Sequence, residues 1–209
     1  MFLLNLSSIE ALAWIAGFLL ALSVHESAHA LAANYLGDPT AKFAGRISLN
    51  PLSHLDTAGT IFLLLVGFGW GKPVPVNHNN FANPRIGELL TSLAGPLSNL
   101  AVALLVALPY NFLCEPGSTV FIFLQTVIFV NIVLMVFNLL PIPPLDGGGA
   151  LAAVLPTSAS EALRRNGPIV LFSVIAVDYV FKIGILGKIM WPLINIVFVM
   201  VNLSTTFGG

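Results

Sequence analysis

His25, Glu26 and His29 are the residues whose types and spacing point most directly to chemistry. On an α-helix, positions four apart lie about 40° apart around the axis and about 6 Å along it, so two imidazoles placed this way can converge on one cation. Histidine nitrogens bind Zn²⁺ at about 2.0–2.1 Å, and a catalytic site keeps a further position open for water. Glu26, beside the first histidine, is placed to take a proton from such a water, which is the logic of an HExxH helix. A polar contact between helices, without metal, is the competing reading. The surroundings argue against it, because these residues interrupt an apolar run from about Ile9 to Leu36. Ionisable groups inside such a run are costly and by default functional.

A metal centre of this kind needs a third protein ligand. The available residues are His54, Asp56, His78, Glu88, Asp146 and Asp178, of which Asp146 is the strongest. It follows Pro141-Ile142-Pro143-Pro144-Leu145 and precedes Gly147, on broken backbone at the end of a long apolar run. A carboxylate there has little reason to stand unless a cation faces it. Asp146 could also cap a helix start, and the two roles are compatible. His54, in the loop-like stretch Asn50-Pro51-Leu52-Ser53-His54, reads as an interface or substrate-facing residue, and His78, among asparagines, as a solvated one. Asp178 has no evident task beyond pairing with Lys182, four residues on.

The elements that must position these groups belong to a membrane. Of 209 residues, 57% are hydrophobic and only 8% charged, and the mean hydropathy is +0.94. Soluble domains carry about 25% charged residues, and one core of this size could not hide so much apolar surface from water. The net charge of -1, without a basic block, gives nothing that suggests nucleic acid as a partner, and none is expected. The single Cys114 excludes an intrachain disulfide and reads as packing. No Lys or Arg precedes Lys42, so the apolar Met1–Leu22 stretch lacks the charged start of a signal peptide and reads as a retained span.

The first span runs to Gly37-Asp38-Pro39, a helix-stop signal. A polar stretch from Thr40 to Asp56 follows, with a short strand expected from Lys42 to Leu49. The apolar run Thr57–Trp70 falls short of the roughly 20 residues that a span needs. Lys72-Pro73-Val74-Pro75-Val76 must be extended, because prolines two apart exclude a helix. Further spans are expected over Arg85–Tyr110 and Ser118–Leu140, and Pro141 to Gly149 should break the helix at membrane depth. Glu161–Asn166 reads as a polar connector, and Pro168–Phe207 as two spans or a hairpin. The expected fold is therefore all-α and polytopic. One domain over residues 1–209 has five or six transmembrane segments, a broken helix at the site and short extended, β-like loop segments. Its catalytic core covers about 9–151 and its C-terminal membrane segments about 168–207.

Three stretches together are similar to the signature motifs of the site-2 protease family, in that family's order. They are His25-Glu26-Ser27-Ala28-His29-Ala30, Gly95-Pro96-Leu97-Ser98-Asn99, and Asn138-Leu139-Leu140-Pro141-Ile142-Pro143-Pro144-Leu145-Asp146-Gly147-Gly148. The linking segments Arg46–Asp56 and Gly69–Asn77 resemble the compact branch without a PDZ domain, and the resemblance covers about Ala21 to Leu151. It implies one zinc per chain on His25, His29 and Asp146, with Glu26 activating water. It further implies a transmembrane protein substrate cleaved within the bilayer of a prokaryotic cell membrane. Asn99 is then expected near the site, hydrogen-bonding the substrate carbonyl or its developing oxyanion, while Gly95 and Pro96 permit close helix approach. Asn138 either steadies the broken segment or binds substrate. Two other classes stay in view. A zinc or divalent-metal transporter should offer several polar sites along a path, and a non-catalytic membrane scaffold would have no use for Glu26.

Overall fold

A computed structural model describes residues 6–66 and 69–201. Among the described residues its regular elements are all helices, the α-helical ones being α1 (Ser8–Tyr35), α2 (Thr40–Phe43), α3 (Thr57–Val66), α4 (Pro84–Leu113), α5 (Thr119–Asn138), α6 (Asp146–Val154), α7 (Thr157–Phe181) and α8 (Ile185–Met200). Local chemistry sets the ends. Ser7 and Glu10 form a reciprocal capping box that starts α1, and Gly37, at φ +107°, follows its last turn. Asn83 caps α4 by accepting from the N–H groups of Arg85 and Ile86, with Pro84 at the first helical position, and Ser118 caps α5.

Helices α1, α4 and α5 pack on one another as the centre of the molecule. Small residues let the backbones approach, as membrane helices require: a Cβ on Gly17 of α1 would stand 3.4 Å from the Cα of Val127 on α5. One apolar cluster joins α4, α5 and α8 through Ala103, Ala107, Ile128, Ile132 and Phe198, and a second joins α1, α3 and α5 through Phe18, Leu22, Leu63 and Val130. Large side chains such as Leu105, Phe112 and Val199 are exposed, as lipid-facing positions should be.

The span count is lower than the five or six expected. Among the described residues, α1, α4 and α5 are long and apolar enough to cross, and α7 with α8 makes a fourth only as one bent unit. The ten residues of α3 rise about 15 Å, half of a hydrocarbon core about 30 Å thick. The stretch 168–201 is divided at Lys182–Gly184, where the chain turns by 104°. Asp178 explains that turn: its carboxylate accepts from the N–H groups of Ile185 (2.7 Å) and Leu186 (3.2 Å), capping α8 rather than pairing with Lys182. Residues 202–207 of the expected C-terminal segment lie outside the described residues.

Three local expectations are corrected. Glu161–Asn166 is not a connector but part of α7. No strand forms over Lys42–Leu49. Among the described residues the only β-type pairing is an isolated antiparallel bridge between Leu55 and Gly71, with Lys72 N–H donating to His54 O at 2.7 Å. Finally, Gly147–Gly149 do not break a helix: the break is Leu139–Leu145, and the glycines form the first turn of α6. They are glycines because of close packing. A Cβ on Gly148 would lie 2.6 Å from Pro143 Cδ, and one on Gly149 would lie 2.7 Å from Ser92 Oγ of α4.

Candidate metal centre

His25 and His29 are buried on the face of α1 that meets α4, and Asp146 opens α6 after the broken segment. Their side chains converge. His25 Nε2 is 3.0 Å from His29 Nε2 and 3.0 Å from Asp146 Oδ2, and His29 Nε2 is 3.3 Å from the same oxygen. The two rings stand at 83° to one another.

The neighbours determine where the imidazole protons sit. His29 Nδ1 lies 2.7 Å from the carbonyl of Thr91, which can only accept, so Nδ1 carries the proton. His25 Nδ1 lies 2.6 Å from Asn99 Oδ1. The orientation of that amide is fixed, because Asn99 Nδ2 meets Ala21 O and Asn131 Oδ1, each at 3.0 Å, and the Ala21 carbonyl can only accept. His25 Nδ1 therefore carries its proton as well. With Nδ1 engaged in this way, each ring turns Nε2 toward Asp146 Oδ2, an oxygen that is buried and has no other hydrogen-bond partner among the described residues. Three atoms able to ligate a metal, 3.0–3.3 Å from one another and with both Nδ1 atoms engaged elsewhere, fit a cation. Ligands held tetrahedrally at about 2.0–2.1 Å stand about 3.3 Å apart, close to the spacings found. Among the described residues this is the only group of three or more such side chains able to hold a metal ion.

Gly95 of α4 makes this possible. A Cβ there would come within 2.6 Å of His29 Cε1 and 2.7 Å of His25 Cε1, so the α4 backbone lies directly against both rings. Glu26 is half-buried and points into the same cavity, with Oε2 3.8 Å from Nη2 of the buried Arg46. Arg46 also donates to the carbonyls of Pro73 (2.9 Å) and Lys72. The cavity, about 1280 Å³, is mostly apolar, with walls from α1, α4, α5, α7 and the extended Pro73–Val76 segment.

The other sequence candidates have separate tasks. Asp56 caps α3 by accepting from Gly59 N–H at 2.8 Å. Glu88 pairs with Arg164 and lies 3.7 Å from His78, whose side chain is 43% exposed, as expected of a solvated residue, and also lines the cavity. His54 is fully buried, its Nε2 donating to Ser48 O at 2.6 Å, so it is neither an interface nor a substrate-facing residue. Asn138 lines the cavity while donating to Leu134 O at 3.0 Å. Asn99 is fully buried with both amide hydrogens engaged, so none is left for a substrate oxyanion; its partner in the site is His25. Sequence reasoning missed the Thr91 carbonyl, which no side-chain pattern reveals. It also missed Asn131, whose signal was an amide inside an apolar helix.

Comparison with known proteins agrees with this geometry. Residues 114–181 match the model of peptidase family M50, the site-2 protease family. A protein of Bacillus subtilis (strain 168), provisionally named zinc metalloprotease YwhC, is 38% identical over 185 residues, covering 85% of this chain and 83% of the relative. The chain belongs to peptidase family M50. A protein of Mycolicibacterium smegmatis provisionally named zinc metalloprotease Rip2 is 34% identical over 160 residues, 71% of this chain but 60% of its own length. A Rip2 of Mycobacterium tuberculosis is 34% identical over 155 residues, with the same coverage. No solved structure matches the chain. Family and helices together make this M50 peptidase an integral membrane metalloprotease.

Proposed function

We propose that this M50 chain is an intramembrane endopeptidase that cuts transmembrane protein substrates at one zinc site held by His25, His29 and Asp146. The observation that carries this reading is the convergence of His25 Nε2, His29 Nε2 and Asp146 Oδ2 to 3.0–3.3 Å of one another, with both Nδ1 atoms engaged elsewhere. Zinc bound there supplies Lewis acidity, acidifying water and polarising a carbonyl. The chain's own residues do the rest. Asn99 Oδ1 and Thr91 O hold the imidazoles in the required tautomer. Glu26 takes a proton from the water that attacks the substrate carbonyl carbon, and returns it to the nitrogen as the C–N bond breaks. A transporter would need several polar sites along a path, and a scaffold would need no acid beside the first histidine.

Substrate must reach the site unwound, since the hydrogen bonds of a helix shield its peptide bonds. Pro73–Val76 supplies a template. Among the described residues, the backbone of Val74 and Val76 makes no hydrogen bond. Residues two apart in an extended chain turn their N–H and C=O groups to the same edge. The opposite edge lacks donors, because Pro73 and Pro75 have no N–H, and the Pro73 carbonyl is occupied by Arg46. A substrate strand is therefore added on one edge only, held at Val74 and Val76. Asn138, on the cavity wall, keeps a second amide hydrogen to offer it.

Glu26→Gln tests the chemistry. It should bind zinc as the wild type does while losing at least about 10²-fold in cleavage of a transmembrane substrate in detergent or liposomes. Unchanged turnover would remove Glu26 from the mechanism.

A further inference from the structure

Asn131 is fully buried on α5, a helix otherwise almost wholly apolar, and it takes no part in the chemistry above. An amide at such a place is costly unless its hydrogen bonds are made. They are made in a directed way. Asn131 Nδ2 donates to Val127 O at 2.8 Å, which turns its Oδ1 outward to accept from Asn99 Nδ2 at 3.0 Å. Asn99 Oδ1 in turn accepts from His25 Nδ1–H at 2.6 Å. Ala21 O and Val127 O, at the two ends of this network, can only accept, so no member can be reversed without losing a bond.

The relay also joins the helices that deliver the ligands. His25 lies on α1, Asn99 on α4 and Asn131 on α5, and α5 runs directly into the broken segment that leads to Asp146 at the start of α6. We propose that Asn131 is a positioning residue of the metal centre. By holding the Asn99 amide it keeps His25 Nε2 aimed at Asp146, and it ties the helix leading to Asp146 against the helix bearing His25. This rests on the reading of His25, His29 and Asp146 as zinc ligands. It assigns to an amide two hydrogen bonds away from the ion a share in the ion's affinity, as outer partners of metal ligands commonly have.

The test uses the full chain in detergent, stripped of metal, with zinc affinity measured by competition against a chromophoric chelator. Thermal unfolding is followed with and without zinc. Asn131→Leu and Asn131→Ala should each weaken zinc binding by about 10-fold or more and reduce the rise in Tm that zinc produces. Asn131→Asp, which keeps an oxygen facing Asn99, should recover part of the loss. A purely structural amide would lower the zinc-free Tm while leaving zinc affinity and the zinc-induced rise unchanged, and that result in either variant overturns the proposal. If Asn131→Leu does not fold, Asn131→Ala carries the same comparison. Wild type that binds no zinc would instead defeat the reading of the metal centre itself, and the relay with it.

Discussion

Helices α1, α4 and α5 and the segment Gly71–Asn77 both border the cavity, yet they are held in opposite ways. On the helices the polar atoms that orient the site are matched: His25 Nδ1 to Asn99, His29 Nδ1 to the Thr91 carbonyl, Asn99 to Ala21 and Asn131. Gly95 brings the α4 backbone against both rings and leaves no room for them to turn. The segment is anchored only at its ends. Arg46 holds the Lys72 and Pro73 carbonyls, His54 O accepts from Lys72 N–H, and Asp38 accepts from Asn77 N–H at 2.7 Å. Between those anchors Val74 and Val76 keep their backbone groups free. The contrast suits the proposed function, in which a metal centre is in place before substrate arrives and a template for an added strand keeps its valences open.

If that contrast is right, damage to the helices should cost metal, and damage to the segment should cost substrate. The largest effect is expected from Gly95→Ala, whose methyl group would collide with both imidazoles. It should weaken zinc binding by at least about 10-fold and abolish cleavage, read by elemental analysis and a cleavage assay on one preparation. Val74→Pro should do the reverse. It removes one N–H offered to substrate, a bond of about 1 kcal/mol, so KM should rise about 5-fold with zinc content unchanged. Zinc loss in this variant would make the segment a structural support rather than a docking edge.

The smallest effect concerns the anchor at Asp38. Burial pushes its carboxyl up, but hydrogen bonds from the Thr40 hydroxyl, Asn77 N–H, the Asn80 amide and Thr40 N–H prevail and hold it below the ordinary 3.8. A depressed carboxyl stabilises the fold fully above its unfolded value and loses that contribution as pH falls through the folded value. Thermal unfolding followed from about pH 6 to about pH 3 should therefore show a steeper acid loss in the wild type than in Asp38→Asn. Equal slopes would mean that this anchor contributes nothing to folding.

Much of this organisation was legible in the residues. The HExxH spacing, the apolar runs and the Asp after a Pro-rich break led to His25, Glu26, His29 and Asp146, because helical periodicity and the cost of charge in lipid constrain such residues strongly. What sequence could not supply is direction. Asn99 reads equally well as a donor to substrate or as an acceptor for His25, and only the positions of Ala21 O and Asn131 decide between them. Hydropathy likewise counts apolar residues but not bends, so it did not reveal that α7 and α8 turn on a cap made by Asp178. The Gly147–Gly149 run carried two meanings, helix breaking and close packing, and the proximity of Pro143 and Ser92 selects the second.

The central claim is that His25, His29 and Asp146 hold one zinc. Zinc content of the purified wild type, measured by elemental analysis beside His25→Ala and Asp146→Ala, tests it most directly. About one zinc per chain in the wild type, sharply reduced in both variants, is the result this account predicts. A metal-free wild type, or zinc retained in full by Asp146→Ala, would contradict it.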